Sequence, residues 1–178
     1  PLDYITSDCG YVFLRDGWNG NEAAMHFHCG PIIGHTAADY RKVYTGNTLG
    51  IGHAHPDMAG LLLFAEGEWQ FCDDGYTTGY TSNHNTLTVN GKGQINEKTY
   101  NYADTSYGLR GWQAATIAKP SIIKTEISDD MTYVVCDVTK AYPDENYIND
   151  DIHLEKYFRH YIYLKPEKTL LVFDDIKT

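Results

Sequence analysis

Long apolar runs are missing from this 178-residue chain: the longest apolar block, Leu61 to Ala65, is the size of a strand. A membrane-spanning helix needs about 18 consecutive apolar residues, so no such span is expected. Basic residues are scarce, 14 Lys and Arg against 24 Asp and Glu, giving a net charge of −10 and a pI near 5.1. That balance excludes general nucleic-acid binding, which needs a basic face, and it disfavours long-range attraction of a polyanion. Four cysteines, at 9, 29, 72 and 136, form no C-x-x-C pair. A thiolate zinc site is therefore not expected; the four leave room for one or two disulfides and fit scattered buried thiols equally well. There is no internal repeat and no low-complexity tract. No initiator Met or signal peptide precedes Pro1, and TLLVFDDIKT ends just after an apolar strand. The expectation is one domain, residues 1–178, that is an excised part of a longer protein.

What remains is an ordered, strand-rich chain, 42% hydrophobic and 21% charged. YVFLR (11–15) and AMHFH (24–28) read as short strands. LLLFAEGEWQFC (61–72) reads as two strands joined through Glu66–Gly67, and MTYVVCDVT (131–139) as another. RHYIYLKPEKTLLVFDD (159–175) gives two strands around Lys165–Pro166–Glu167–Lys168. NTLTVNGKGQ (85–94) alternates apolar and polar residues and turns at Asn90–Gly91, which predicts a hairpin. Helical periodicity is confined to TAADYRKVYTG (36–46). Residues 96–120 are Tyr-rich and irregular, with a strand expected near Trp112. The predicted fold class is all-β, an antiparallel sandwich with one minor helix. The 15 tyrosines suit half-buried sheet positions and also suit stacking on sugar rings.

Three segments hold candidate chemistry. In IGHAHPDMAG (51–60), His53 and His55 are two apart; on a strand both imidazoles share one face, as metal ligation requires, although solvent-facing histidines would show the same spacing. FCDDGY (71–76) places Asp73 and Asp74 before a glycine turn, where acidic residues are common for turn reasons alone. SNHNTLTV (82–89) places His84 at the expected start of a strand. Two histidines and one aspartate at strand ends are a donor set that Zn2+ accepts, with a fourth position for water or another side chain. His26 and His28, in HFH, are a second same-face pair and the main rival ligands.

The stretch GHAHPDMAGLLLFAEGEWQFCDDGYTTGYTSNHNTLTVNGKGQ (52–94) resembles the heparinase II/III-like polysaccharide lyases, which include oligoalginate lyases. That family carries G-H-x-H-x-D, a strand, a G-E turn, a strand ending in D-x-G, and then H-N-T-[VL]-x-V-[ND]-G, and all occur here in order. GYVFLRDGW (10–18) looks like the family's opening strand and RHYIYLKPEKTLLVFDDI like a later hairpin. The resemblance implies a helical toroid domain, absent from this chain, followed by a large antiparallel β-sandwich domain. It implies Zn2+ as cofactor, bound by His55, Asp73 and His84, with His53 reaching the catalytic cleft. Asp74 stands where many members have proline, so Asp73 and Asp74 both stay in view, the family spacing favouring Asp73.

The implied reaction is β-elimination on an acidic polysaccharide containing uronic acid. Arg15, Trp18 and Tyr80 are the substrate-binding candidates, and Arg41 and Lys42 the further cations for a local positive cluster. Asp57 is the candidate to orient a ligating imidazole. The principal acid/base tyrosine would belong to the helical domain, so this chain alone is not expected to be a competent lyase. The family implies a periplasmic or secreted location. Two rival readings are a non-catalytic carbohydrate-binding sandwich using Trp18, Trp69 and Trp112, and a cupin-like metal enzyme. Cupins place a Glu a few residues after H-x-H, whereas the first Glu after His55 is Glu66.

Overall fold

A computed structural model describes residues 2–31, 33–43, 55–76, 79–95, 119–142 and 154–178, with the backbone alone at 41–43. It contains two antiparallel sheets. The first is a five-stranded meander of β1 (Asp3–Ile5), β2 (Tyr11–Arg15), β3 (Ala24–His28), β4 (Leu61–Ala65) and β5 (Glu68–Phe71). The second is a four-stranded meander of β6 (Ser121–Ile127), β7 (Met131–Asp137), β8 (Lys156–Leu164) and β9 (Thr169–Lys177). Among the described residues there is one α-helix, α1 (His35–Val43), which starts where Asp8 accepts hydrogen bonds from the Thr36 amide at 2.9 Å and hydroxyl at 2.7 Å. Among the described residues, no helix is long and apolar enough to cross a membrane.

Alternation decides which faces meet. Val12 and Leu14 of β2, Met25 and Phe27 of β3 and Leu61 of β4 point inward and are buried. Val134 and Cys136 of β7 and Tyr157, Tyr161 and Tyr163 of β8 meet them in one cluster. Phe27 and Tyr161 stack across the interior with ring centroids 3.8 Å apart. Three tyrosines are therefore core residues, each adding the apolar payload of a large ring. The inward row of β8 also contains a charge, Arg159, which leaves only 8% of its surface exposed.

Two local details hold the first sheet in shape. A Cβ on Gly10 would lie 1.9 Å from the Cys29 carbonyl oxygen, and Gly10 has φ of 73°, so only glycine lets β2 start against the end of β3. Glu66 and Gly67 both have positive φ, 56° and 83°, the two-residue turn whose twist matches a hairpin.

The predicted strands 11–15, 24–28, 61–72, 131–139 and 159–175 are all present, with the turns where expected. Three readings need correction. Residues 85–94 form no strand: Asn90 and Gly91 make the expected turn, but only Val89 and Lys92 pair across it. His55 lies in a loop and not on a strand. His84 follows a 3-10 turn, Thr81–Asn83, and starts no strand. Beyond these, β1 and β6 went unread. The strand expected near Trp112 and residues 44–46 of the expected helix lie outside the described residues. All four cysteines are thiols, Cys29 and Cys136 being buried.

The face assignment is testable by urea unfolding. Phe27→Ala is expected to cost about 3–5 kcal/mol, the range for an aromatic deleted from a core. Phe13→Ala, on the outer face of β2, is expected to cost under about 1 kcal/mol. Equal losses would contradict the assignment.

Candidate metal centre

Three loops at one end of the first sheet bring the candidate ligands together. His55 lies in the segment that leads into β4, and that segment is held by side chains in place of a ladder. The Gln94 carboxamide accepts from the Met58 amide at 2.8 Å and donates to the Met58 carbonyl at 2.9 Å. Thr86 Oγ1 donates to the same carbonyl at 3.1 Å. Asn85 accepts from the Leu61 amide at 2.5 Å and donates to the Leu61 carbonyl at 2.6 Å, standing in for a neighbouring strand. The residues after His84 in H-N-T thus fasten the His55 segment to the His84 loop.

Asp73 and Asp74 part ways just beyond β5. Asp73 Oδ1 accepts from the Gly75 amide at 2.9 Å, an Asx turn, which leaves Oδ2 facing His84 Nδ1 at 3.7 Å. Asp74 is engaged elsewhere, accepting from the Asn83 side-chain amide. Of the two, Asp73 joins the cluster.

His55, Asp73 and His84 each offer one donor atom, all within 4.8 Å of one another. The two imidazole centroids are 5.2 Å apart. Burial, and next the proximity of His55, pull the His84 titration below its usual value, while Asp73 and Asp74 pull it back up. At 3.7 Å, His84 Nδ1 and Asp73 Oδ2 are too far apart for a hydrogen bond. Tetrahedral Zn2+ with ligands at about 2.0–2.1 Å sets its donors about 3.3 Å apart, close to that separation. His84 is 93% buried, and its Nε2 has no hydrogen-bond partner. Two imidazoles and a carboxylate brought this close together fit a divalent metal of the zinc type.

Behind the cluster lies a cavity of about 30 Å³, lined among others by His26, His28, Asp57, Asp73 and His84. Its size suits one water. Burial pushes the His28 titration down to about 4, and His28 Nε2 is also unpartnered. The Asp57 carboxyl is pushed up to about 7, first by burial and then by the Asp73 charge. The rival pair His26 and His28 therefore borders the site without joining the three donors.

His53 and Trp112 are outside the described residues, as are the side chains of Arg41 and Lys42. The Arg15 guanidinium sits 4.1 Å over the Trp18 ring, and Trp18 is 68% exposed. Both belong to the opposite end of the β2–β3 hairpin, since Arg15 pairs with Ala24 whereas Tyr11 pairs with His28. Tyr80 opens the 3-10 turn before His84 and is exposed. Trp69 packs edge-on against Phe64 on the outer face of the first sheet. The holding residues Asn85, Thr86, Gln94 and Arg159 were not singled out from sequence. For Arg159 a signal existed, a charge at an inward position of the alternating run YFRHYIYL.

The fold and the cluster define an all-β sandwich with a His-Asp-His site fit for a divalent metal. No family model matches the chain, and no curated protein does. Among solved structures, the chain is similar to the heparan sulfate lyase HepC from Pedobacter heparinus, with a TM-score of 0.62 and 18% identity, over 99% of this chain and 22% of that one. It is also similar to heparinase III, with a TM-score of 0.58 and 18% identity, over 98% of this chain and 22% of that one. The chain thus spans about a fifth of the length of either lyase. At this identity the likeness establishes the fold, which is the one the resemblance implied.

The buried pair behind the cluster sets opposing pH effects. His28 is harder to protonate folded than unfolded, so its stabilisation is complete above pH 6.5 and is lost as pH falls towards 4, on the order of 3 kcal/mol. Asp57 is harder to deprotonate folded, so its contribution declines as pH rises from about 4 to 7. In metal-free protein, Asp57→Asn is expected to gain on wild type as pH rises through that window. His28→Gln is expected to gain on wild type as pH falls from 6.5 to 4. Denaturation curves whose differences stay flat with pH would contradict both assignments.

Proposed function

We propose that this chain is the zinc-binding β-sandwich part of a polysaccharide lyase of the heparinase II/III-like type, acting on an acidic polysaccharide that contains uronic acid. The observation that carries the reading is the convergence of His55, Asp73 and His84 in a chain whose fold is that of two polysaccharide lyases. In this reading the catalytic unit is a longer protein, periplasmic or secreted, that includes a helical domain, and the present chain is not competent alone.

The chemistry asked of such a unit is well defined. The proton on C5 is α to the uronate carboxylate and only weakly acidic. A base removes it, negative charge gathers on the carboxylate, and the C4–O4 bond breaks as O4 takes a proton from an acid. The products are a new reducing-side chain end and a sugar with a C4–C5 double bond. Groups that donate hydrogen bonds to the carboxylate as charge builds there lower the barrier. His53 is the residue of this chain assigned to that cleft, stabilising the charge or moving the proton.

Zinc would be held by His55, Asp73 and His84, where it supplies a fixed positive charge and cross-links three loops that have few ladder bonds of their own. The chain's residues orient the donors: the Asx turn of Asp73 aims one carboxylate oxygen, and burial pulls the His84 titration below its usual value, which favours the form that ligates a metal. A metal that binds only the folded state also raises stability by mass action. The carbohydrate-binding alternative shares the fold but produces no unsaturated sugar. The cupin-like alternative lacks its glutamate.

Metal analysis of the purified full-length protein tests the site. About one zinc per chain is expected, lost in His55→Ala, Asp73→Ala and His84→Ala and kept in Asp74→Ala. Zinc in all four variants would refute the ligand assignment. His53→Ala is expected to keep the metal and to lose about 10²–10⁴-fold in turnover, read from the ultraviolet absorbance of the unsaturated product. Unchanged turnover would remove His53 from the mechanism.

A further inference from the structure

The inward row of β8 reads Tyr157, Arg159, Tyr161, Tyr163, and among the described residues Arg159 is the only Lys or Arg that is buried. Burying a guanidinium is costly unless every donor is answered and a counter-charge lies at hand. Asp174 lies directly opposite in β9 and takes Nε at 2.7 Å and Nη2 at 2.8 Å, a bidentate fork. Nη1 points the other way and donates twice, to the Ala59 carbonyl at 2.9 Å and to the Asn85 carbonyl at 2.6 Å.

Those two carbonyls are informative. Ala59 is four residues past His55, and Asn85 directly follows His84. Both lie in segments that belong to no strand. Ala59 also has φ of 58°, an uncommon conformation for a residue with a side chain, so its peptide needs support. The Tyr161 hydroxyl donates to the same Ala59 carbonyl. One nitrogen of a rigid planar group thus bonds to both loops that carry the imidazoles, beside the Asn85, Thr86 and Gln94 ties, and the second sheet anchors that nitrogen.

We propose that Arg159 is a positioning residue for the metal centre, its guanidinium fixing the spacing of the loops that carry His55 and His84. The proposal rests on the reading of His55, Asp73 and His84 as metal ligands. A plain core tie would hold the sandwich together without tuning the site. Lysine in place of Arg159 keeps a charge but, as a single point donor, cannot keep the fork on Asp174 and the two carbonyl bonds together.

The test uses full-length Arg159→Lys beside a control, Lys165→Met. Lys165 ties Asp3 to Ser128 at 2.8 Å each and touches neither metal loop. Zinc affinity is measured by competition with a chromogenic chelator, site geometry by the visible absorption of the Co2+-loaded protein, and Tm in chelator. Arg159→Lys is expected to weaken zinc at least about 10-fold, as changes behind metal ligands do, and to alter the Co2+ bands. Lys165→Met is expected to lower Tm and leave both metal readouts unchanged. Arg159→Lys with wild-type zinc affinity and Co2+ bands would overturn the positioning role alone. Wild type that takes up neither metal would overturn the metal reading and this proposal with it. Should Arg159→Lys not fold, Asp174→Asn, which frees the fork, is read the same way: a smaller loss of zinc affinity supports the role, and no loss overturns it.

Discussion

A buried guanidinium joins the two halves of this protein. Arg159 projects from the second sheet into an interior otherwise filled by Val12, Leu14, Phe27, Tyr157 and Tyr161, and its charge must be answered there. Asp174 answers the charge, and the carbonyls of Ala59 and Asn85 accept the two bonds from Nη1. A cation in that position dictates where two loops of the other sheet can lie. Apolar packing holds the sheets together, but it has no direction. The hydrogen bonds of Arg159 have direction, and they aim at the segments bearing the histidines.

The rest of the site follows from that constraint by short-range bonds. Gln94 and Thr86 hold Met58, Asn85 holds Leu61, and each of these bonds ties the His55 segment to the loop after His84. The result is a site carried by loops yet spaced by side chains that are themselves half or fully buried. Such support is what a metal centre needs, because its ligands must keep their separation to within tenths of an ångström.

The fold was legible where pattern and turn agreed. Glu66–Gly67 and Lys165–Pro166–Glu167–Lys168 marked the turns of two hairpins, and alternation marked the strands beside them. β1 escaped because three residues carry no periodicity, and β6 because a bulge at Ile122–Lys124 breaks its alternation. Residues 85–89 misled for a physical reason. Leu87 and Val89 pack on the core from an irregular segment, and the Leu87 carbonyl is satisfied by the Tyr142 hydroxyl in place of a strand. Alternating burial does not require a ladder.

The site was legible by motif and not by geometry. Periodicity placed His53 and His55 on one strand face, whereas His55 stands in a loop. Residue types and order, in H-x-H, D-x-G and H-N-T, singled out His55, Asp73 and His84 as candidates, and the fold brings one ligand atom of each within 4.8 Å of the others. Asn85 and Thr86 went unread because their work is on backbone groups 24 and 28 residues away, a distance no local pattern reveals. The central claim is that these three side chains hold one zinc ion. It is tested most directly by X-ray data from crystals of the full-length protein collected on both sides of the zinc absorption edge. The account predicts one anomalous peak per chain between the two imidazoles and the Asp73 carboxylate; a map with no peak there, or with the peak on other side chains, would contradict it.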